Sequence, residues 1–373
     1  MVSLPFTDPV AAPAVRTPKL KISQKQSASD GLGGLADAAG ALLGGNPGPD
    51  PWSTHLIGLR MSLSLGDHVG SVILHILESE SAPEASLGDE LELALGFDDE
   101  TETPIFTGKI QRLENHLAGY RRLTITSPFL ELSQKRINAS FEEQSASDIV
   151  QSLLGETNVG AGSIDSGEQY SFYVVSDRLS LLQHIQAISA QQNWICYCGA
   201  NGQLNAHALD TGEEAKVFAY GSDIIELEHW VQEAALTGVK VVGGGAATSQ
   251  GSDAWNWLTK DPKALAEAGE SGRVVPMRVL RDAPSAQNFS AALMSKDAQA
   301  TNRVRLTSSA APEVLPGTYF EITGAPFSAA NAIFVAEKVV MTFDRSKGFL
   351  SFIEGFSRDS AGTSALGSLG GLL

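Results

Sequence analysis

A mainly β chain with an α+β insert, in which two small antiparallel β-barrels flank an α+β domain, is predicted by three observations. Apolar and polar residues alternate with period two from Ile57 to Ser127. The period then becomes helical behind Ser145, where Ile149, Val150, Leu153 and Leu154 share one face. Alternation returns at Glu214 and, with one interruption, continues to Arg358. At 373 residues the chain is long enough for two or three units with cores of their own.

Each element follows in order. Residues 1–27 form an N-terminal arm and first strand: 1–14 are proline- and alanine-rich, and Val15–Ser23 alternates, with Pro18 suited to an edge. Residues 28–54 are glycine- and alanine-rich, closed by prolines, and are expected to be a flexible loop with room for one short helix. Residues 55–127 carry the strands Ile57–Leu65, Ser71–Glu78, Asp89–Phe97, Ile105–His116 and Arg121–Ser127, a small barrel or sandwich. Turns fall at Gly66, Pro83, Gly88 and Gly119.

Residues 128–212 form the α+β insert. Ser145 to Asp148 resembles a capping box. Gln169–Val175 reads as a strand, and Asp177 is a candidate cap for a helix bearing Leu181, Leu182, Ile185 and Ile188. Trp194–Cys198 and Gln203–Ala208 make a hairpin about Ala200, Asn201 and Gly202. Residues 213–358 form the second barrel, with strands at Glu214–Tyr220, Ile224–Val231, Ala235–Gly243, Arg303–Ser308, Thr318–Thr323, Ile333–Phe343 and Phe349–Arg358. It carries an irregular insertion at 244–300, in which 244–285 keep no sustained period and Ser285–Ala300 is helical. Residues 359–373 are expected to be a flexible tail.

Composition limits the function. A net charge of −17 argues against nucleic acid, because such a surface repels phosphates. The two cysteines, Cys196 and Cys198, give no disulfide framework, as expected of assembly in a reducing cytoplasm. The N-terminus lacks a basic region leading into an apolar core, so no signal peptide is expected, and no stretch approaches a membrane span.

No residue pattern demands catalysis. The acids Asp98, Asp99, Glu100 and Glu102 read as a solvated turn, since paired carboxylates must oppose each other across a cleft. Glu142 and Glu143 are expected to favour the dipole of the helix that follows. Cys196 and Cys198 share a strand face with His207 on the paired strand, but three ligands fall short of a structural zinc site, and buried packing is the expectation. The seven histidines are scattered, and Gly243 to Gly245 lack the lysine of a phosphate loop. No catalytic residue, metal ligand or cofactor is therefore expected. Trp255 and Trp257 are candidate partner anchors, because aromatics dominate interface hot spots. Leu366, Leu369, Leu372 and Leu373 recur at helical spacing and are candidates for docking on a neighbouring subunit.

Two stretches carry a resemblance. The insert from Phe141 to His207 contains a helix of the form Ser176-Asp-Arg-Leu-Ser-Leu-Leu-Gln-His-Ile, then Trp194 and the turn Asn201-Gly202. Leu315-Pro-Gly317 opens the closing strands around Val339 and Phe352. In this order they resemble the late control D family of baseplate hub proteins and the hub part of VgrG spikes. The resemblance covers residues from about 55 to about 358 and is mainly structural. It implies a structural protein with tube-like barrels, not an enzyme. It further implies a homotrimer with pseudo-six-fold symmetry, joining a hexameric tail tube to a trimeric spike within the baseplate of a virion tail. Surrounding wedge proteins are the further expected partners, and the spike is expected on a separate chain because no needle follows the second barrel. A phage-derived protein-injection particle is the alternative setting, and a tail-associated wall-degrading enzyme a third. The acidic balance suggests a negatively charged lumen.

Overall fold

The computed structural model describes residues 18–25, 50–66, 69–97, 101–209, 214–243, 265–269, 272–277, 279–280 and 283–358. In the first part β1 (Pro18–Lys25) is followed by the short helix α1 (Pro51–His55) and by β2 (Leu56–Ser64), β3 (Ser71–Leu77), β4 (Glu90–Phe97), β5 (Thr103–His116) and β6 (Tyr120–Thr126). Asp50 caps α1, its carboxylate accepting from the Trp52 N–H at 3.0 Å and the Ser53 hydroxyl at 2.7 Å. Long alternating runs make these strands, and their inward residues Met61, Val72, Leu74, Leu93 and Ile125 are fully buried.

The insert comprises α2 (Phe129–Gln134), β7 (Ala139–Ser145), α3 (Ala146–Leu154), β8 (Ala161–Ile164), β9 (Gln169–Val175), α4 (Leu181–Gln191), β10 (Ile195–Cys198) and β11 (Leu204–His207). Ser145 opens α3 with the expected capping box, accepting from the Asp148 N–H at 3.1 Å. The cap of α4 is Ser180, not Asp177. Ser180 accepts from the Gln183 N–H while Gln183 accepts from the Ser180 N–H at 2.9 Å, and the Asp177 N–H is held by Asn138 instead. Glu142 and Glu143 lie within β7, three and two residues before the helix cap Ser145, and Glu143 has φ of +49°. They belong to a strand paired with β9, not to the first turn of α3.

The last part holds β12 (Lys216–Ala219), β13 (Ile224–Val231), β14 (Gly238–Gly243), β15 (Leu265–Gly269), β16 (Arg273–Met277), α5 (Ala283–Gln299), β17 (Asn302–Ser309), β18 (Tyr319–Thr323), β19 (Ile333–Asp344) and β20 (Gly348–Ser357). Where the sequence shows no period, β15 and β16 flank β14, and α5 packs against this small sheet through Ala286 and Phe289. Neither reads as a strand from its residues: β15 (LAEAG) has no β-branched or aromatic residue, and β16 (RVVPM) contains a proline.

The fold class is mainly β with an α+β insert, as the sequence predicts. Strands expected in separate barrels meet in one twelve-stranded sheet, through the antiparallel pairing of β2 with β19. Seven residue pairs form this seam, from Lys338 opposite Ser64 to Asp344 opposite Gly58, with Met341 opposite Met61 at its centre. Both methionines are buried in an apolar core that runs through both parts. The insert has a separate core around Phe129, Ile149, Leu153, Ile185 and Leu204.

Candidate functional site: open edges, an open face and a cleft

The strand order contains a repeat. The first six strands pair in the order β1-β4-β5-β6-β3-β2, and the second set pairs as β12-β18-β19-β20-β17-β13. Each strand of the first series has its counterpart at the same place in the second. The hairpins β5–β6 and β19–β20 are closed by five-residue segments, His116–Tyr120 and Asp344–Gly348, with glycine in the left-handed region in each (Gly119 and Gly348). Both hairpins carry a bulge, as do the pairs β2–β3 and β13–β17. One difference stands out: β1 runs antiparallel to β4, whereas β12 runs parallel to β18.

The repeat leaves two edges open. Within the chain, β19 offers its free edge to β2. By equivalence, the β5 stretch Gln111–His116 should offer its edge to a strand like β13. Among the described residues, that stretch pairs only with β6, and β13 pairs with β17 alone apart from a bridge from its first residue, Ile224, to Tyr220. Aligning the two hairpin turns carries Leu113 onto Met341. The row Leu227–Leu306–Ile353 likewise corresponds to Met61–Val72–Ile125. Met61 and Met341 are buried, whereas Leu113 and Leu227 are only half-buried, although all four belong to or pack against the same core. In the same register Glu228 corresponds to Ser62 and Arg112 to Val340, the pair next to the methionines in the seam. Near these positions Ile225 is 63% exposed, the extra residue of the β13 bulge.

One face of the large sheet lies over the core and the other is largely open. Facing residues on the open side cross it in a row from Lys25 and Glu90 through Lys109, Ser62 and Val340 to Glu226. Acidic and basic groups alternate. Lys25 is bonded to Glu90 and Glu92, hydrogen bonds that raise its pKa. Arg112 pairs with Glu114 at 2.9 Å, and Arg305 bridges Glu228 at 2.9 Å and Glu354 at 3.5 Å. Arg303 binds Glu337 and, at 3.0 Å, Glu354. His75 stands here edge-on to Tyr120, which stacks on His116; burial first, then the Arg122 and His116 charges, lower the His75 pKa.

A cleft of about 560 Å³ separates the insert from the end of this face. Helices α4 and α5 wall it with Ala187, Ala190 and Ala292, and Phe356 and Trp194 add aromatic surface. Leu209, Lys296 and the last described residue, Arg358, also line it.

Cys196 and Cys198 share the inner face of β10, and burial pushes the Cys198 thiol up to about 12. His207 points to the other face, where its ring lies 3.4 Å from the Tyr197 hydroxyl, so the three do not converge. Among the described residues no three His, Cys, Asp or Glu side chains are grouped to hold a metal ion, and no helix is long and apolar enough to cross a membrane. Trp255, Trp257, Leu366, Leu369, Leu372 and Leu373 lie outside the described residues, as do Asp98, Asp99, Glu100, Gly244 and Gly245. Sequence reading missed the open edges. Part of their signal was available in Leu113 and Leu227, each flanked by charged residues (Arg112 and Glu114, Glu226 and Glu228), but strand order was needed to read it.

The fold has known relatives. The 43 kDa tail protein of prophage MuSo2 from Shewanella oneidensis matches with a TM-score of 0.63 at 11% identity, over 82% of this chain and 95% of that one. A tail protein from Neisseria meningitidis matches with a TM-score of 0.59 at 11% identity, over 82% and 92%. The fold is that of phage tail proteins. An E. coli component of the type VI secretion system, described as similar to bacteriophage T4 tail proteins gp27 and gp5, shares this tail-protein fold at a TM-score of 0.54 and 9% identity, over 81% of this chain and 73% of its own. No protein-family model and no curated protein matches the sequence.

Proposed function

We propose that this chain is the structural hub of a contractile-tail baseplate, a closed ring of copies that joins the tail tube to a spike. The observation that carries the proposal is the repeated strand order with its two open edges. In the ring, β13 of one copy pairs antiparallel with Gln111–His116 of the next, as β2 pairs with β19 within the chain. Leu227 then meets the neighbour's Leu113, and Glu228 meets the neighbour's Arg112. The contact is heterologous, so it propagates in one direction and ends only by closing. Each repeat is one unit of the ring, and the sequence resemblance implies three chains, which would supply six repeats to a six-fold tube. The insert faces the surrounding baseplate proteins.

In such a ring the core side of the sheet is covered by each barrel and the open side lines the channel. That wall carries Arg60, Lys109, Arg112, Arg122 and Lys338 beside Glu90, Glu114 and Glu354. With Glu226, Glu228 and Arg305 on the same side, the wall mixes both signs and is not the uniformly negative lumen that the net charge suggests. No catalytic step is assigned, and the role is structural.

Whether the tail belongs to a virion or to a protein-injection particle changes the setting, not the ring. The likeness to a type VI secretion component favours the injection setting as a second reading. Native mass spectrometry of the purified chain tests the hub: three copies are expected, and a monomer that persists at tens of micromolar, alone and with spike protein, overturns it.

A further inference from the structure

We propose that the cleft between α4, α5 and β20 is the seat of the chain's own C-terminal segment, residues 359–373. The first support is position. Strand β20 ends at Ser357, and the next residue, Arg358, is itself part of the cleft lining. The second is reach. Leu366 is eight residues beyond Arg358, and an extended chain covers about 3.3–3.6 Å per residue, so every part of the cleft is accessible to the leucines.

The third support is chemical fit. Outside its leucines the segment consists of glycine, alanine, serine, threonine and a single charged residue, Asp359. A backbone with such small side chains can approach walls built from Ala187, Ala190 and Ala292. Leu366, Leu369, Leu372 and Leu373 recur at three- and four-residue spacing, one stripe of a helix, and the cleft offers Phe356, Trp194 and Leu209 as apolar surface. Its volume of about 560 Å³ lies within the range of sites that bury a ligand. The segment 26–49 has a similar glycine, alanine and leucine composition, but its described flanks, Lys25 and Asp50, do not line the cleft. The inference is independent of ring formation, since floor and walls come from one chain.

Hydrogen exchange read by mass spectrometry on the full chain and on a chain ending at Arg358 tests this. Amides of α4 and α5 are expected to exchange roughly tenfold faster in the shortened chain. Strands β2 to β6 should be unchanged, and a synthetic peptide of residues 359–373 should restore the slow rate. Ala187→Trp in the full chain, which fills the cleft, should reproduce the truncation. Three results overturn the proposal: unchanged exchange in α4 and α5, a loss spread evenly over β2 to β6, or slow exchange restored by adding intact chain, which would place the segment on a neighbour.

Discussion

Replacing Leu227 by aspartate should separate the copies without unfolding them. In the single chain Leu227 and Leu113 are each half-buried, whereas their counterparts Met61 and Met341 are 0% and 1% exposed. Full burial of a leucine is favourable by ~1.5–3 kcal/mol, so each has about 1 kcal/mol still to gain at a neighbour. An aspartate forfeits that gain on its own side, strips Leu113 of its partner and leaves a carboxylate unpaired, adding ~1–3 kcal/mol. The sum of about 3–5 kcal/mol corresponds to association weakened roughly a hundredfold or more per interface. Sedimentation velocity over a concentration series reads this as a shifted midpoint, with Val274→Asp, on the exposed part of β16, as the control that should not move it. The register is checked by charge exchange: Glu228→Arg or Arg112→Glu alone should weaken assembly, and the two together should restore it. Their existing bonds, Glu228 to Arg305 and Arg112 to Glu114, are exposed and of small worth, so the chain itself should stay folded. An unshifted midpoint for Leu227→Asp, or a double variant that assembles no better than the singles, refutes the pairing.

Other consequences concern the single chain. Met341→Ala removes a fully buried side chain from the seam and should cost ~2–5 kcal/mol, read as a lower urea midpoint with an unchanged slope. Ser180→Ala deletes the cap of α4 and should cost about 1 kcal/mol, whereas Asp177→Ala should cost far less. Because His75 has a lowered pKa in the fold, the unfolded chain binds the proton more readily. Its stability contribution is therefore complete above the unfolded value of about 6.5 and declines as pH falls below it. His75→Gln should flatten that part of a urea midpoint versus pH curve. With burial holding the Cys198 thiol near 12, an aromatic disulfide reagent at pH 8 should leave Cys198 unmodified in folded protein and label it fully in urea.

What the sequence made legible follows from the length of each periodic run. Strands β2 to β6 and β17 to β20 alternate over five to fourteen residues, and α3 and α4 show one apolar stripe each, so all were readable. The short strands β8, β15 and β16 were not, because their pairing is decided by neighbours distant in sequence. The α4 cap was misplaced for a local reason: Asp177 and Ser180 are both good caps, and only the reciprocal bond with Gln183 separates them. The candidate site was less legible still. Tryptophans and leucines attract attention by type, whereas an open edge is a property of strand order, which no window of sequence contains.

The seam also constrains how many copies would close the proposed ring. An exposed edge strand invites uncontrolled pairing, and β13 lacks proline and carries the 63%-exposed Ile225. Such an edge is tolerable when a defined partner covers it, and the β5 stretch Gln111–His116 is the one that repeats the geometry already built between β2 and β19. If every junction in the ring is alike, the rotation that carries the first repeat onto the second within one chain equals the rotation from the second repeat to the first repeat of the next copy. Closure then requires that rotation to be a whole fraction of a turn, about 60° for six repeats. A rotation that is not a whole fraction of a turn, or one that carries a rise along the axis, would give a helical filament instead. The parallel β12–β18 pair against the antiparallel β1–β4 pair shows that the two repeats are not identical. That difference lies in strands that pair with the first residues of β5 and β19, outside the stretches Gln111–His116 and Lys338–Asp344, so it leaves the junction pairing itself unchanged and can distinguish one half of the proposed ring's contacts from the other.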